Sequence, residues 1–317
     1  MTPPLQRYPL VLRLLLMFSM FLFNISVVSY LALTLAQSLF NLENMNSIAE
    51  GSVSTPAEIN AFLLIQAISS LGGFLLTAMM FAVLESGEYK HHLRLNTFPS
   101  LKMVLLAVAA VIVSQFFIEY LVSVNQSVEL PANLQFLKEY QQKTEALTEK
   151  LMSFTGVGQF IIVSIVVALI PAMGEEFFFR GLILGDLLRG KVRAFIAIPA
   201  TGFLFAISHF QYDNVLAIWI LGSFLGYLYY ISGSLWLPIA AHFTNNFLAV
   251  LLKYLFNLGY ISKEFAEAQT PLYITLLSVA VFAVCIFLFH KWKIPDNFVE
   301  PVKEEEEVNN VQEENYR

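Results

Sequence analysis

The chain has 317 residues, of which 57% are hydrophobic and 13% charged. Soluble domains carry roughly 25% charged residues, so this composition excludes an ordinary soluble protein and points to one embedded in a membrane. The net charge of −6 lies entirely in residues 296–317, where eight acidic side chains stand against Lys303 and Arg317; the rest is neutral, and with no basic stripe among aromatics nucleic-acid binding is excluded.

A helix needs about 20 apolar residues to cross the hydrocarbon core. After Arg7 and Arg13, no charge occurs from Leu14 to Leu42. A signal-peptide core is about 7–15 residues long, so this run reads as a retained first span, near 12–36. Two more spans are expected near 59–84 and 101–123. Beyond Pro131, the residues Leu134, Leu137, Tyr140, Leu147 and Leu151 fall at helical spacing among Lys and Glu. They predict an amphipathic helix over 132–151, lying against the outer interface or solvated within a loop. Further spans are expected near 155–175, 194–210, 214–231, 236–256 and 271–290, with Ser232, Gly233, Ser234 and Pro238 making a turn between two of them.

The expected fold is therefore all-α, a monomeric polytopic bundle of about eight spans. It divides into a three-span region with an outer amphipathic helix (1–150), a five-span region (151–290) and an acidic, disordered cytoplasmic tail (291–317). Arg7 and Arg13, Lys90 and Arg94, Arg189, Lys191 and Arg193, and Lys291 and Lys293 all fall on one side, which places both termini in the cytoplasm. Short loops without eukaryotic sorting signals suggest a bacterial inner membrane. The lone cysteine, Cys285, lies in an apolar stretch and reads as a small hydrophobe.

Ionisable groups inside a span are costly and each is a functional candidate. Three clusters qualify. Glu176 and Arg180 are four residues apart and share a helix face, whereas Glu175 is turned about 100° away. A carboxylate without a cation in an apolar wall suits general acid–base work, although two glutamates can also mark a solvated helix end. Phe205 and His209 share a face in the next span, and His242 and Asn246 in a later one. Imidazole and amide can donate to a developing oxyanion or simply join helices. Polar groups converging from several helices are how bundle sites are built.

Glu-Glu-x-x-x-Arg at 175–180, Phe-x-x-x-His at 205–209 and His-x-x-x-Asn at 242–246, in that order, resemble the CPBP family. That family includes the type II CAAX prenyl endopeptidases and is also called the Abi family. The resemblance covers about 155–256. It implies an intramembrane endopeptidase in which Glu175 and His209 activate a water. His242 and Asn246 would form the oxyanion hole, with Glu176, Arg180 and Phe205 as structural support. The expected substrate is a membrane-associated or exported peptide at the lipid bilayer. The expected cofactor is none; the alternative is a zinc metalloprotease with Glu175, His209 and His242 as ligands. A non-catalytic scaffold or bacteriocin-immunity-type protein is the alternative function.

One geometric difficulty arises. His242 lies about six residues into its span, roughly 9 Å deep, while His209 lies near the far end of its own. They meet only if the spans tilt or enter at different depths, or if the helix of Glu175 runs on, kinked at Pro171, through 181–190.

Overall fold

A computed structural model describes residues 4–292 apart from 44, 50, 155 and 267, so the expectation of a disordered tail lies almost entirely outside the described residues. The helices that build the bundle are α1 (Leu10–Phe40), α2 (Pro56–Ser86), α3 (Leu101–Gln126), α4 (Gln135–Leu151), α5 (Val157–Arg189), α6 (Ala194–Ile207), α7 (Val215–Ser232), α8 (Trp236–Asn257) and α9 (Leu272–Lys291). Among the described residues there is no strand, and seven helices are long and apolar enough to cross a membrane. The chain is an integral membrane protein. Leucines and phenylalanines such as Leu15, Phe23, Leu277 and Phe287 stand exposed on the outside, where lipid is the matching solvent.

Local chemistry sets the helix ends. Thr55 and Glu58 form a reciprocal capping box, with Thr55 N–H donating to Glu58 Oε2 at 2.9 Å and Pro56 at the first turn. Gly233 closes α7 with a φ of 59°, a left-handed conformation that glycine adopts without strain. Pro171 has no N–H to give. Just before it, over Ser164–Leu169, α5 widens into π-helical turns, and Ile170 N–H reaches back five residues to Ile165 O. A second π segment spans Phe177–Leu184. These turns let α5 continue unbroken to Arg189, one of the two solutions that the histidine depths demanded.

The other solution is α6. The charge-free window predicts a span over 194–210, but the helix has 14 residues and ends at Ile207. At 1.5 Å per residue it rises about 21 Å, short of the roughly 30 Å hydrocarbon core. His209 consequently sits just beyond a helix end inside the bundle.

Close packing between α6 and α7 depends on Gly202 and Gly222. A methyl group on Gly202 would meet Ser223 Oγ at 2.5 Å and its backbone N at 2.7 Å. We expect Gly202→Ala to destabilise the bundle by about 1–3 kcal/mol through overpacking. Gly158→Ala meets nothing within 4 Å and serves as the control. Thermal melts in detergent check this; coincident melting of the two variants would show that the helices separate at no cost.

Candidate active site

Three helices contribute. α5 carries Glu175, Glu176 and Arg180, the end of α6 carries Phe205 and leads to His209, and α8 carries His242 and Asn246. Glu176 and Arg180 are fully buried and joined by Arg180 Nη1–H donating to Glu176 Oε1 at 2.6 Å. Arg180 Nη2 donates to Gly222 O at 2.8 Å, so the guanidinium also ties α5 to α7. Its carbon lies 4.6 Å from the Phe205 ring centre. That ring also packs edge-on against His209 at 4.5 Å and His242 at 5.7 Å between centres. Phe205 is thus the apolar floor on which the cation and both imidazoles rest.

The tautomer of each histidine follows from its Nδ1 partner. His209 Nδ1 lies 2.7 Å from Phe205 O, and a carbonyl can only accept, so Nδ1 carries the proton. His242 Nδ1 lies 2.8 Å from Glu176 Oε1, and it donates to that carboxylate. Neither Nε2 atom makes a hydrogen bond. They lie 3.9 Å (His209) and 3.8 Å (His242) from the same atom, Glu175 Oε2. That oxygen is buried and accepts no hydrogen bond. Glu176, by contrast, is committed to Arg180 and His242. Both bonds of Glu176 fall on its Oε1, and its Oε2 is likewise buried without a hydrogen bond; the two glutamates differ in that Glu176 is ion-paired with Arg180, whereas Glu175 Oε2 faces the two histidines.

Asn246 is one helical turn beyond His242. Gln115 Nε2 donates to Asn245 Oδ1 at 3.2 Å, and Asn245 Nδ2 donates to Asn246 Oδ1 at 3.2 Å. This relay from α3 engages the Asn246 oxygen, which turns its NH2 into the group left for donation. Asn246 makes no direct hydrogen bond to Glu175 or either histidine. Two grooves lie nearby. A polar one of about 320 Å³ is lined by Gln141, Thr144, Gln211, Asn214 and Lys253. An apolar one of about 190 Å³ runs between α5 and α8 past Phe160, Ser164, Phe243 and Phe247.

The expectation of no cofactor is corrected by a second cluster. Glu85 at the end of α2, His92 in the short helix Tyr89–His92 and Asp186 near the end of α5 are all buried. Their ligand atoms all lie within 4.8 Å of one another, an O, N, O donor set able to hold a metal ion. His92 Nε2 is 3.5 Å from both Glu85 Oε2 and Asp186 Oδ1. Arg13 pairs with Glu85, and Arg189 pairs with Asp186 and lies 2.7 Å from His92 Nε2. Burial pushes the His92 imidazole below its ordinary value, which favours the neutral, ligating form. Sequence reading missed this group because its members occupy three separate segments, where each falls in an expected loop between spans.

Residues 157–248 match the model of a family described as type II CAAX prenyl endopeptidase Rce1-like. The match runs from the start of α5 into α8 and takes in Glu175, Glu176, Arg180, Phe205, His209, His242 and Asn246, while leaving most of the chain unmatched. It accords with the CPBP resemblance at the level of the superfamily. No curated protein and no solved structure matches the chain.

Proposed function

We propose that the chain is a membrane-embedded endopeptidase that hydrolyses a peptide bond in a membrane-associated or exported substrate. The observation that carries this reading is the convergence of the His209 and His242 Nε2 atoms on Glu175 Oε2, which accepts no hydrogen bond, on a chain whose 157–248 segment matches an endopeptidase family. A water among these three groups would meet two bases and a carboxylate, and Glu175 would take its proton as it attacks the carbonyl. Asn246 NH2 would donate to the developing oxyanion, joined by His242 if Glu175 hands that proton to its Nε2, and the same proton would leave with the amine as the C–N bond breaks. Glu176, Arg180 and Phe205 would hold both histidines in place.

One observation favours metal assistance over unaided activation of the water. Metal-bound histidines characteristically give their second N–H to a carboxylate or a backbone carbonyl. His242 does the first and His209 the second. Glu175, His209 and His242 would hold the ion, which would supply Lewis-acid polarisation of the water and the carbonyl. The Glu85, His92 and Asp186 group is a separate candidate site on the same chain. Metal analysis of the purified protein separates the two: bound zinc or manganese should fall in Glu175→Gln if the first site is occupied, and in Asp186→Asn if the second is. Equal metal content in wild type and both variants would remove both sites from consideration.

A bacterial inner membrane with both termini in the cytoplasm remains our proposed setting. A scaffold or immunity role would not need Glu175, so a phenotype that survives Glu175→Gln would favour it.

A further inference from the structure

His209 stands in a loop rather than in a helix, and that loop is strained. Phe210, the next residue, has a φ of 53°, a left-handed conformation that a bulky side chain rarely adopts. Strain of this kind persists only where surrounding contacts impose it. The contacts come from outside the three motifs and outside the matched segment. From the end of α3, Asn125 Nδ2 donates to Tyr212 O at 2.7 Å, while Leu216 N–H donates to Asn125 Oδ1 at 2.9 Å. From α4, Gln141 Oε1 accepts Asp213 N–H at 3.2 Å, and Gln141 Nε2 donates to Asp213 Oδ2 at 3.3 Å. Gln141 is buried although its helix is largely exposed. The Tyr140 ring on α4 also packs edge-on against Phe210 at 6.0 Å between centres.

We propose that Asn125 and Gln141 are positioning residues that hold the His209 loop, and through it the Nδ1–H bond to Phe205 O, so that Nε2 faces Glu175. Gln141 engages the loop as donor and acceptor at once, and Asn125 donates to the loop while accepting from the first turn of α7, which fixes direction as well as distance. α4 acts as a strap over the loop: Leu147 and Leu151 anchor it on the bundle, and Gln141 and Tyr140 reach from it to the loop. The inference rests on the functional role proposed for His209, but its test does not require turnover.

The experiment uses the full chain with 15N-labelled histidine in detergent micelles, its His209 ring signals identified by their loss in His209→Gln. Wild type should show the Nδ1–H tautomer with a hydrogen-bonded proton. Asn125→Leu and Gln141→Leu, which keep shape and remove the bonds, should each raise the displaced population about fivefold per hydrogen bond lost. The His209 signals should then move toward the mixed tautomers of a free imidazole while those of His242 stay fixed. A residue that served stability alone would lower the melting temperature and leave the folded-state tautomer unchanged. Tyr140→Ala, at a largely exposed position, covers the case in which the leucine variants fail to fold, and it should shift His209 in the same direction by less. Unaltered His209 signals in every folded variant would overturn the proposal. Failure of the peptidase reading would show elsewhere, as proteolysis that does not need Glu175.

Discussion

Arg180→Ala is expected to lose about 3–5 kcal/mol of stability, the loss typical when one member of a buried ion pair is removed. The reason is the number of groups that depend on this one side chain. Its guanidinium is fully buried, pairs with the equally buried Glu176, donates to Gly222 O on α7 and lies over the Phe205 ring. Truncation leaves the Glu176 carboxylate with His242 as its remaining partner, frees the Gly222 carbonyl and opens a cavity beneath Phe205. Glu176→Gln with Arg180→Met, which removes both charges and keeps the volume, should cost less than Arg180→Ala alone. Melting temperature and membrane yield measure this. Wild-type melting of Arg180→Ala would show that the pair does not brace the helices.

Glu175→Gln and His209→Ala are each expected to remove nearly all turnover, and the double variant should be no worse than either single one. Groups that act on one water fail as a unit, so their losses do not add. Glu175→Gln preserves the shape of the side chain and takes away only its basicity, so its melting should follow the wild type. Asn246→Ala should be milder, a loss of about 10²–10³-fold, the usual effect of deleting one oxyanion donor. Rates are read from the appearance of new peptide termini in membranes supplied with each purified variant. Strictly additive losses for Glu175 and His209 would mean that the two residues serve separate steps.

Sequence and structure diverge most where distant segments meet. Charge-free windows are legible because lipid demands long apolar runs, and the all-α bundle follows from them. The i, i+4 spacing of Glu176 and Arg180 was likewise readable, since it needs only helix geometry. The second partner of Glu176 was not, because His242 lies 66 residues away in sequence. The early end of α6 was hidden for a similar reason. Residues 194–212 carry no charge, and the helix stops where Asn125 and Gln141 hold the following loop. The amphipathic pattern of α4 was visible while the surface it docks on was not. Glu85, His92 and Asp186 gave no signal at all, since their meaning appears only when three segments are brought together.

Hydrolysis by Glu175 is tested most directly in native membranes. Membranes from cells lacking this protein are incubated with purified wild type or with Glu175→Gln, both verified to be folded, and new peptide N-termini are identified by mass spectrometry. If Glu175 performs the hydrolysis, new termini appear within or beside membrane-spanning segments with the wild type and none of them with Glu175→Gln. The same set of termini from both proteins, or none from either, would contradict it.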